Sequence, residues 1–132
     1  MKLPISLFAL AALTLAAALA QEQGYTPDPG WAPPADAAAR KNPLSSNPEA
    51  AGGGRKLYLR NCSECHGGEG LGTDAGPGLH LEVVQEQSDG ALFWKMTNGN
   101  SGRGMPSWSR LPEAQRWQLI LFLRTLPRKS PQ

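Results

Sequence analysis

Cys62-Ser63-Glu64-Cys65-His66 places two thiols three residues apart with an imidazole directly after the second. That spacing matches covalent attachment of a c-type haem. Each thiol can add across one of two neighbouring vinyl groups on the porphyrin edge, and the adjacent imidazole then lies beneath the iron. In this reading Cys62 and Cys65 fix the ring and His66 fixes the metal. The competing chemistries are less well served. A structural zinc site needs about four ligands, and beyond this cluster the sequence offers only His80. A redox dithiol of thioredoxin type should follow a strand, but no alternating Val/Ile-rich stretch precedes Cys62. A lone disulfide leaves His66 without a role.

Something must position these groups, and the chain has 132 residues to do it, enough for one domain. Leu3 to Ala20 is almost wholly Leu, Ala, Ile and Phe and closes on Ala18-Leu19-Ala20. Residues 1–20 therefore read as a secretory signal cut after Ala20. The alternative is an uncleaved anchor, for which roughly 18 apolar residues is the short edge of a spanning length. No cysteine lies near the cleavage site, which argues against a lipid anchor. Export suits a covalently attached haem and makes the periplasm the expected location.

Residues 21–47 carry Pro27, Pro29, Pro33, Pro34 and Pro43 amid Ala, Asn and Ser, the composition of an extended arm. Its lone Trp31 is read as docking on the folded part. Residues 48–127 hold the periodic segments, and 128–132 are a polar tail. A first helix is expected from Asn47-Pro48-Glu49, with Asn47 as cap, to about Asn61. Gly52, Gly53 and Gly54 weaken it by about 1 kcal/mol each relative to Ala, so at least one should serve close packing. The glycine-rich run Gly67 to Gly78 reads as a loop. It lacks the Lys-Ser/Thr ending of a phosphate cradle, whereas backbone that must approach a flat ring uses the same glycines.

A short helical turn is expected around Glu82 to Gln87. A better helix, capped by Ser88, covers Asp89 to Asn98 with Leu92, Phe93 and Met96 on one face and Gly99 as its stop. An irregular loop follows, and the last helix opens at Pro112-Glu113 and runs to about Leu126 before Pro127, with Leu111 a poor cap. From Trp117 to Leu123 only Gln118 is polar, so this helix should be buried on more than one side. With no alternating strand pattern, the fold class is all-α. The folded unit is small for an independent core, and an apolar ring held covalently would supply the missing interior.

The 13 basic and 11 acidic side chains give +2, or +1 once Lys2 leaves with the signal. So small a balance argues against nucleic acid as a partner. Asn61 to Gly90 holds Glu64, Glu69, Asp74, Glu82, Glu86 and Asp89 and no Lys or Arg. From Ala91 onward Lys95, Arg103, Arg110, Arg116, Arg124, Arg128 and Lys129 face Glu113 alone. Such polarity can orient a molecule on a charged partner; an ordinary solvated surface is the plainer reading.

From Gly54 to about Leu126 the chain resembles the class I c-type cytochromes, small monohaem electron carriers with His/Met-ligated iron. The family's glycine and aromatic before the haem motif fall at Gly54 and Tyr58, with Leu119 and Phe122 as the implied packing partners on the last helix. Its Gly-Pro-x-Leu stretch corresponds to Gly76-Pro77-Gly78-Leu79. The resemblance implies crossing first and last helices around one haem c, with the Pro77 carbonyl accepting the second ring N–H of His66. Gly104-Met105-Pro106-Ser107-Trp108 is similar to the family's methionine loop, which implies Met105 as sixth ligand; Met96 and His80 are the other candidates. The cofactor-binding set is then Cys62, Cys65, His66, Pro77 and Met105, with His66 and Met105 on the metal.

The function implied is a periplasmic electron carrier cycling between Fe(III) and Fe(II), with redox proteins as partners and no catalytic residues of its own. An alternative is the cytochrome subunit of a periplasmic dehydrogenase or respiratory oxidase complex, with the arm around Trp31 as its dock. A haem enzyme or gas sensor would require an open iron site.

Overall fold

The structure, a computed structural model, describes residues 25–128. The expected signal peptide, the first residues of the arm and the end of the polar tail lie outside them. Among the described residues there are six α-helices: α1 (Ala35–Ala38), α2 (Ala51–Asn61), α3 (Ser63–His66), α4 (Glu82–Gln85), α5 (Asp89–Asn98) and α6 (Glu113–Leu123). They contain no strand, only the isolated bridges Thr73↔Gly76 and Asn100↔Met105. No described helix is long and apolar enough to cross a membrane.

The fold is organised by the crossing of α2 and α6. A Cβ at Gly54 would collide with the Gln118 carbonyl and come within 3.0 Å of Phe122 Cβ, so only glycine lets the two backbones meet there. One turn on, Tyr58 is fully buried and its ring lies 5.0 Å from that of Phe122. Of the implied partners of Gly54 and Tyr58, Phe122 meets both and Leu119 lies in the same buried cluster as Tyr58, while Gln118, whose carbonyl faces Gly54, is a further partner that the resemblance did not name. Asn47, expected as the cap, is a correction. Its side chain makes no capping bond, and the helix is entered instead through the 3₁₀ turn Pro48–Ala50.

On α6, Trp117, Leu119, Ile120, Phe122 and Leu123 are all buried, as the nearly all-round apolar pattern demands. The helix ends at Leu123, short of the expected Leu126. Thr125 and Leu126 instead bond back to Phe122 and Leu123 in tighter i→i−3 turns, because Pro127 disfavours the α conformation in the residue before it. Ser88 caps α5, its Oγ accepting from the Ala91 N–H at 3.1 Å, and Gly99 stops the helix at φ 68°. Phe93 of α5 stacks on Trp117 at 3.9 Å.

From Tyr25 onward the arm is not simply extended. It contains α1 and is seated on the helices: Ser88 Oγ donates to the Ala38 carbonyl (2.6 Å), and buried Asn42 donates to the Trp117 carbonyl (3.1 Å). Gly90 is the counterpart of Gly54, since a Cβ there would strike the Ala37 carbonyl. These contacts are side-chain hydrogen bonds to backbone carbonyls and one close backbone approach, which leave no hydrophobic period to read. Arg124 binds Asp89 at 2.8 Å and the Gln85 and Gln87 carbonyls. One base of the C-terminal half is thus spent internally on an acid of the other half, and the charge division is not purely a surface property.

Candidate haem site

A cavity of about 340 Å³ lies between α2–α3, α5, α6 and the loop after α5, within the size range of cofactor sites. Cys62, Cys65, His66, Pro77 and Met105 all line it, with Leu79, Val84, Leu92, Leu119 and Leu123 supplying apolar wall. Met96 lines it too, so a residue expected in the core belongs to both core and wall. His80 is not among the lining residues. It is buried, and its Nδ1 donates to the Gly70 carbonyl at 3.1 Å.

The His66 side is assembled within a short stretch of chain. Tyr58 Oη donates to the Gly67 carbonyl (2.6 Å), Thr73 Oγ1 to the Cys65 carbonyl (2.6 Å), and the Gly72 N–H to the His66 carbonyl (2.8 Å). His66 Nδ1 lies 2.9 Å from the Pro77 carbonyl. A carbonyl only accepts, so Nδ1 carries the proton and the lone pair is on Nε2. The glycine-rich loop leaves no spare room where it faces His66: a Cβ at Gly76 would stand 2.9 Å from the Cys65 carbonyl and 3.1 Å from His66 Nδ1.

Both cysteines are free. Burial, and then the neighbouring Cys65, pushes the Cys62 thiol up to about 11. A redox dithiol needs the opposite shift in its attacking sulfur. No group of three or more metal-ligating side chains of the zinc or calcium kind occurs among the described residues. Two thiols, an imidazole with a defined free nitrogen, two thioethers and an apolar wall form a donor set that fits a haem and fits the alternatives poorly.

On the other side, Met105 sits in a loop whose backbone is tied to Asn100 in both directions, Asn100 N–H to Met105 C=O (2.9 Å) and Met105 N–H to Asn100 C=O (3.0 Å). Gly104 and Pro106 line the cavity and are exposed, so the site reaches the surface at this loop. The arm contributes Tyr25, Asp28 and Trp31 to the lining. Lys95 Nζ lies 4.8 Å from the Trp31 ring centre, which gives the docking of Trp31 its partner. Asp28 was not singled out from the sequence, where an Asp in a Pro-Asp-Pro-Gly turn gives no sign of a partner far along the chain.

Residues 49–123 match a protein-family model described as cytochrome c oxidase, cbb3-type, subunit III. Among solved structures, cytochrome cL from the marine methylotrophic bacterium Methylophaga aminisulfidivorans MPT is similar with a TM-score of 0.58 and 23% identity over 66% of this chain. This chain spans 59% of that protein. Cytochrome cL from Hyphomicrobium denitrificans gives 0.52 and 26% identity, covering 80% of this chain and 70% of that one. Among curated proteins there is no match.

Proposed function

Since the chain belongs to the family of that model, the c-type cytochromes with a covalently bound haem c, we propose that it is a periplasmic electron-transfer protein and not an enzyme. The observation that carries the proposal is the convergence of Cys62, Cys65, His66 and Met105 on one apolar cavity. Cys62 and Cys65 would hold the haem through two thioethers, and His66 Nε2 and Met105 Sδ would ligate its iron. When bound, the haem supplies a one-electron couple between Fe(III) and Fe(II).

The protein's own groups set the conditions for that couple. Pro77, by accepting from Nδ1, fixes the tautomer and plane of His66. Met105 offers a soft thioether, which favours the reduced metal relative to a second nitrogen. Leu92, Leu119 and Leu123 keep water from the interior. With His66 and Met105 both on the iron, no substrate would reach the metal, which separates this reading from a haem enzyme or gas sensor. Export by residues 1–20 would place the protein in the periplasm, and redox proteins are its partners. A second reading, as the cytochrome subunit of a respiratory oxidase or periplasmic dehydrogenase complex, draws on the family model's oxidase-subunit description. Co-purification with a stable partner supports it, and a solely monomeric, diffusible protein excludes it.

The test is a redox titration with optical spectra of the haem-loaded protein beside Met105→Ala. The native protein should titrate as a single one-electron centre with a sulfur-to-iron charge-transfer band when oxidised. Met105→Ala should lose that band completely and titrate at a lower potential. An unchanged spectrum in the variant would remove Met105 as ligand and leave Met96.

A further inference from the structure

The loop that carries Met105 has little to stiffen it from within. Gly102 and Gly104 interrupt it, and an added Cβ would meet only Asn100 Oδ1 at 3.8 Å in the first case and nothing within 4 Å in the second. The backbone N–H groups of Arg103 and Gly104 make only the local bonds of a 3₁₀ turn, to the Asn100 and Ser101 carbonyls. The paired backbone bonds between Asn100 and Met105 hold the methionine from its N-terminal side, while Ser107 Oγ on the Thr97 carbonyl (2.6 Å) and the Trp108 N–H on the Met96 carbonyl (3.1 Å) tie the chain beyond it, so the N-terminal hold is as firm as Asn100 itself.

Its restraint comes from the arm. Asp28 Oδ2 accepts from Asn100 Nδ2 at 3.0 Å and lies 3.6 Å from Arg103 Nε. Arg103 Nη1 in turn donates to the Thr26 carbonyl at 2.9 Å. The carboxylate is aimed from its own turn: Oδ1 accepts from the Gly30 N–H at 2.9 Å, and the Asp28 carbonyl accepts from the Trp31 N–H at 3.0 Å. Trp31 anchors that turn against Lys95 of α5. Asp28 thus reaches the methionine through one intermediate, Asn100, across more than seventy residues of sequence.

We propose that Asp28 is a positioning residue for Met105: residues 25–31 form a strap across the open side of the haem site, and the Asp28–Asn100 bond keeps the methionine loop seated so that the sulfur stays on the iron. The bond from Asn100, followed by those from Gly30 and the nearby cations, holds the Asp28 carboxyl below its ordinary range. Asp28 is therefore ionised at neutral pH and its hydrogen bond to Asn100 is charge-assisted, the stronger kind.

This proposal rests on Met105 as the sixth ligand. The probe is imidazole, titrated into the oxidised haem-loaded protein while loss of the sulfur band is followed. Its apparent affinity reads how readily Met105 yields its place. Asp28→Ala should raise that affinity on the order of tenfold, the equivalent of one hydrogen bond to a charged group. Asp28→Asn, which retains an acceptor but no charge, should fall between Asp28→Ala and native. Glu113→Gln, whose partners are Arg40 and Trp117, should leave the affinity unchanged. In an Asn100→Ala background the Asp28→Ala effect should shrink, because the two act in series. Native affinity in Asp28→Ala, or full additivity with Asn100→Ala, would overturn the strap while Met105 remains the ligand. A sulfur band that persists in Met105→Ala would instead remove the ligand assignment, and this proposal with it.

Discussion

The two sides of the cavity are built on different length scales. Around His66 the tying bonds join residues 9, 8 and 11 apart, namely Tyr58 to Gly67, Thr73 to Cys65 and His66 to Pro77. Around Met105 short ties such as Ser107 Oγ to the Thr97 carbonyl, 10 apart, are joined by two that span 72 and 77 residues, Asn100 to Asp28 and Arg103 to Thr26. Closing a short loop sacrifices less chain entropy than closing a long one. The thiol and imidazole side can therefore assemble from one contiguous segment, whereas the methionine side waits for the arm, α5 and α6 to come together. The glycines differ in the same sense. Gly67, Gly72 and Gly76 near His66 are boxed in by backbone and ring atoms, whereas Gly102 and Gly104 on the methionine loop face open space; Gly68 is open and Gly99 is enclosed by Pro106 and Ser107, so the contrast belongs to those positions alone.

The largest effect expected from this contrast is at Gly72. It stands at φ +90°, and a Cβ there would lie 2.6 Å from the Gly78 nitrogen and 3.0 Å from the Pro77 carbonyl carbon. Both the conformation and the clash oppose any side chain. Gly72→Ala should destabilise the haem-loaded protein by roughly 2–4 kcal/mol, measured by denaturant unfolding, and should sharply lower its yield. Near-native stability would mean that the His66 side is as yielding as the other.

Tyr58→Phe is a gentler probe of the same side. It strips the donor from the Gly67 carbonyl without changing the packing on Phe122, and should cost about 1 kcal/mol at neutral pH. Burial, and secondarily Cys62, raises the Tyr58 phenol from its ordinary value to about 12. A group raised on folding stabilises fully below its unfolded value near 10 and loses that contribution as pH climbs through about 12. Native stability should therefore fall more steeply than that of Tyr58→Phe over this window. Parallel curves would show that the phenol does not titrate with unfolding.

The same contrast explains what could be read from the sequence. Cys62, Cys65 and His66 announce themselves because covalent chemistry fixes their spacing. Gly54, Ser88 and Gly99 are legible because helix crossing and helix ends restrict residue type. Gly76-Pro77 could be placed by resemblance, although the bond from His66 to the Pro77 carbonyl is a backbone contact that no side-chain pattern encodes. The seating of the arm was not legible: Asn42 to Trp117, Ser88 to Ala38 and Asp28 to Asn100 are single polar bonds between distant positions, with no periodicity. Met96 was ambiguous for another reason. At helical spacing, a methionine facing the core and one facing a cofactor give the same pattern, and Met96 is both buried in the core and part of the cavity wall.

Gly102→Ala is the smallest effect expected and tests the other half of the contrast. Gly102 is exposed in the 3₁₀ turn Ser101–Arg103, is not among the positive-φ glycines, and would place its Cβ no closer than 3.8 Å to any neighbour. Alanine is compatible with that backbone and removes freedom from the unfolded chain, a gain of about 0.4–1 kcal/mol. If the strap from Asp28 is what positions the loop, stiffening Gly102 should leave the sulfur band and potential unchanged while raising the unfolding midpoint slightly. If the loop instead relies on its own flexibility to reach the metal, the same substitution should weaken the band. Equilibrium unfolding and an optical redox titration on one preparation separate these outcomes, because the first reads the loop's entropy and the second reads only where Met105 is held.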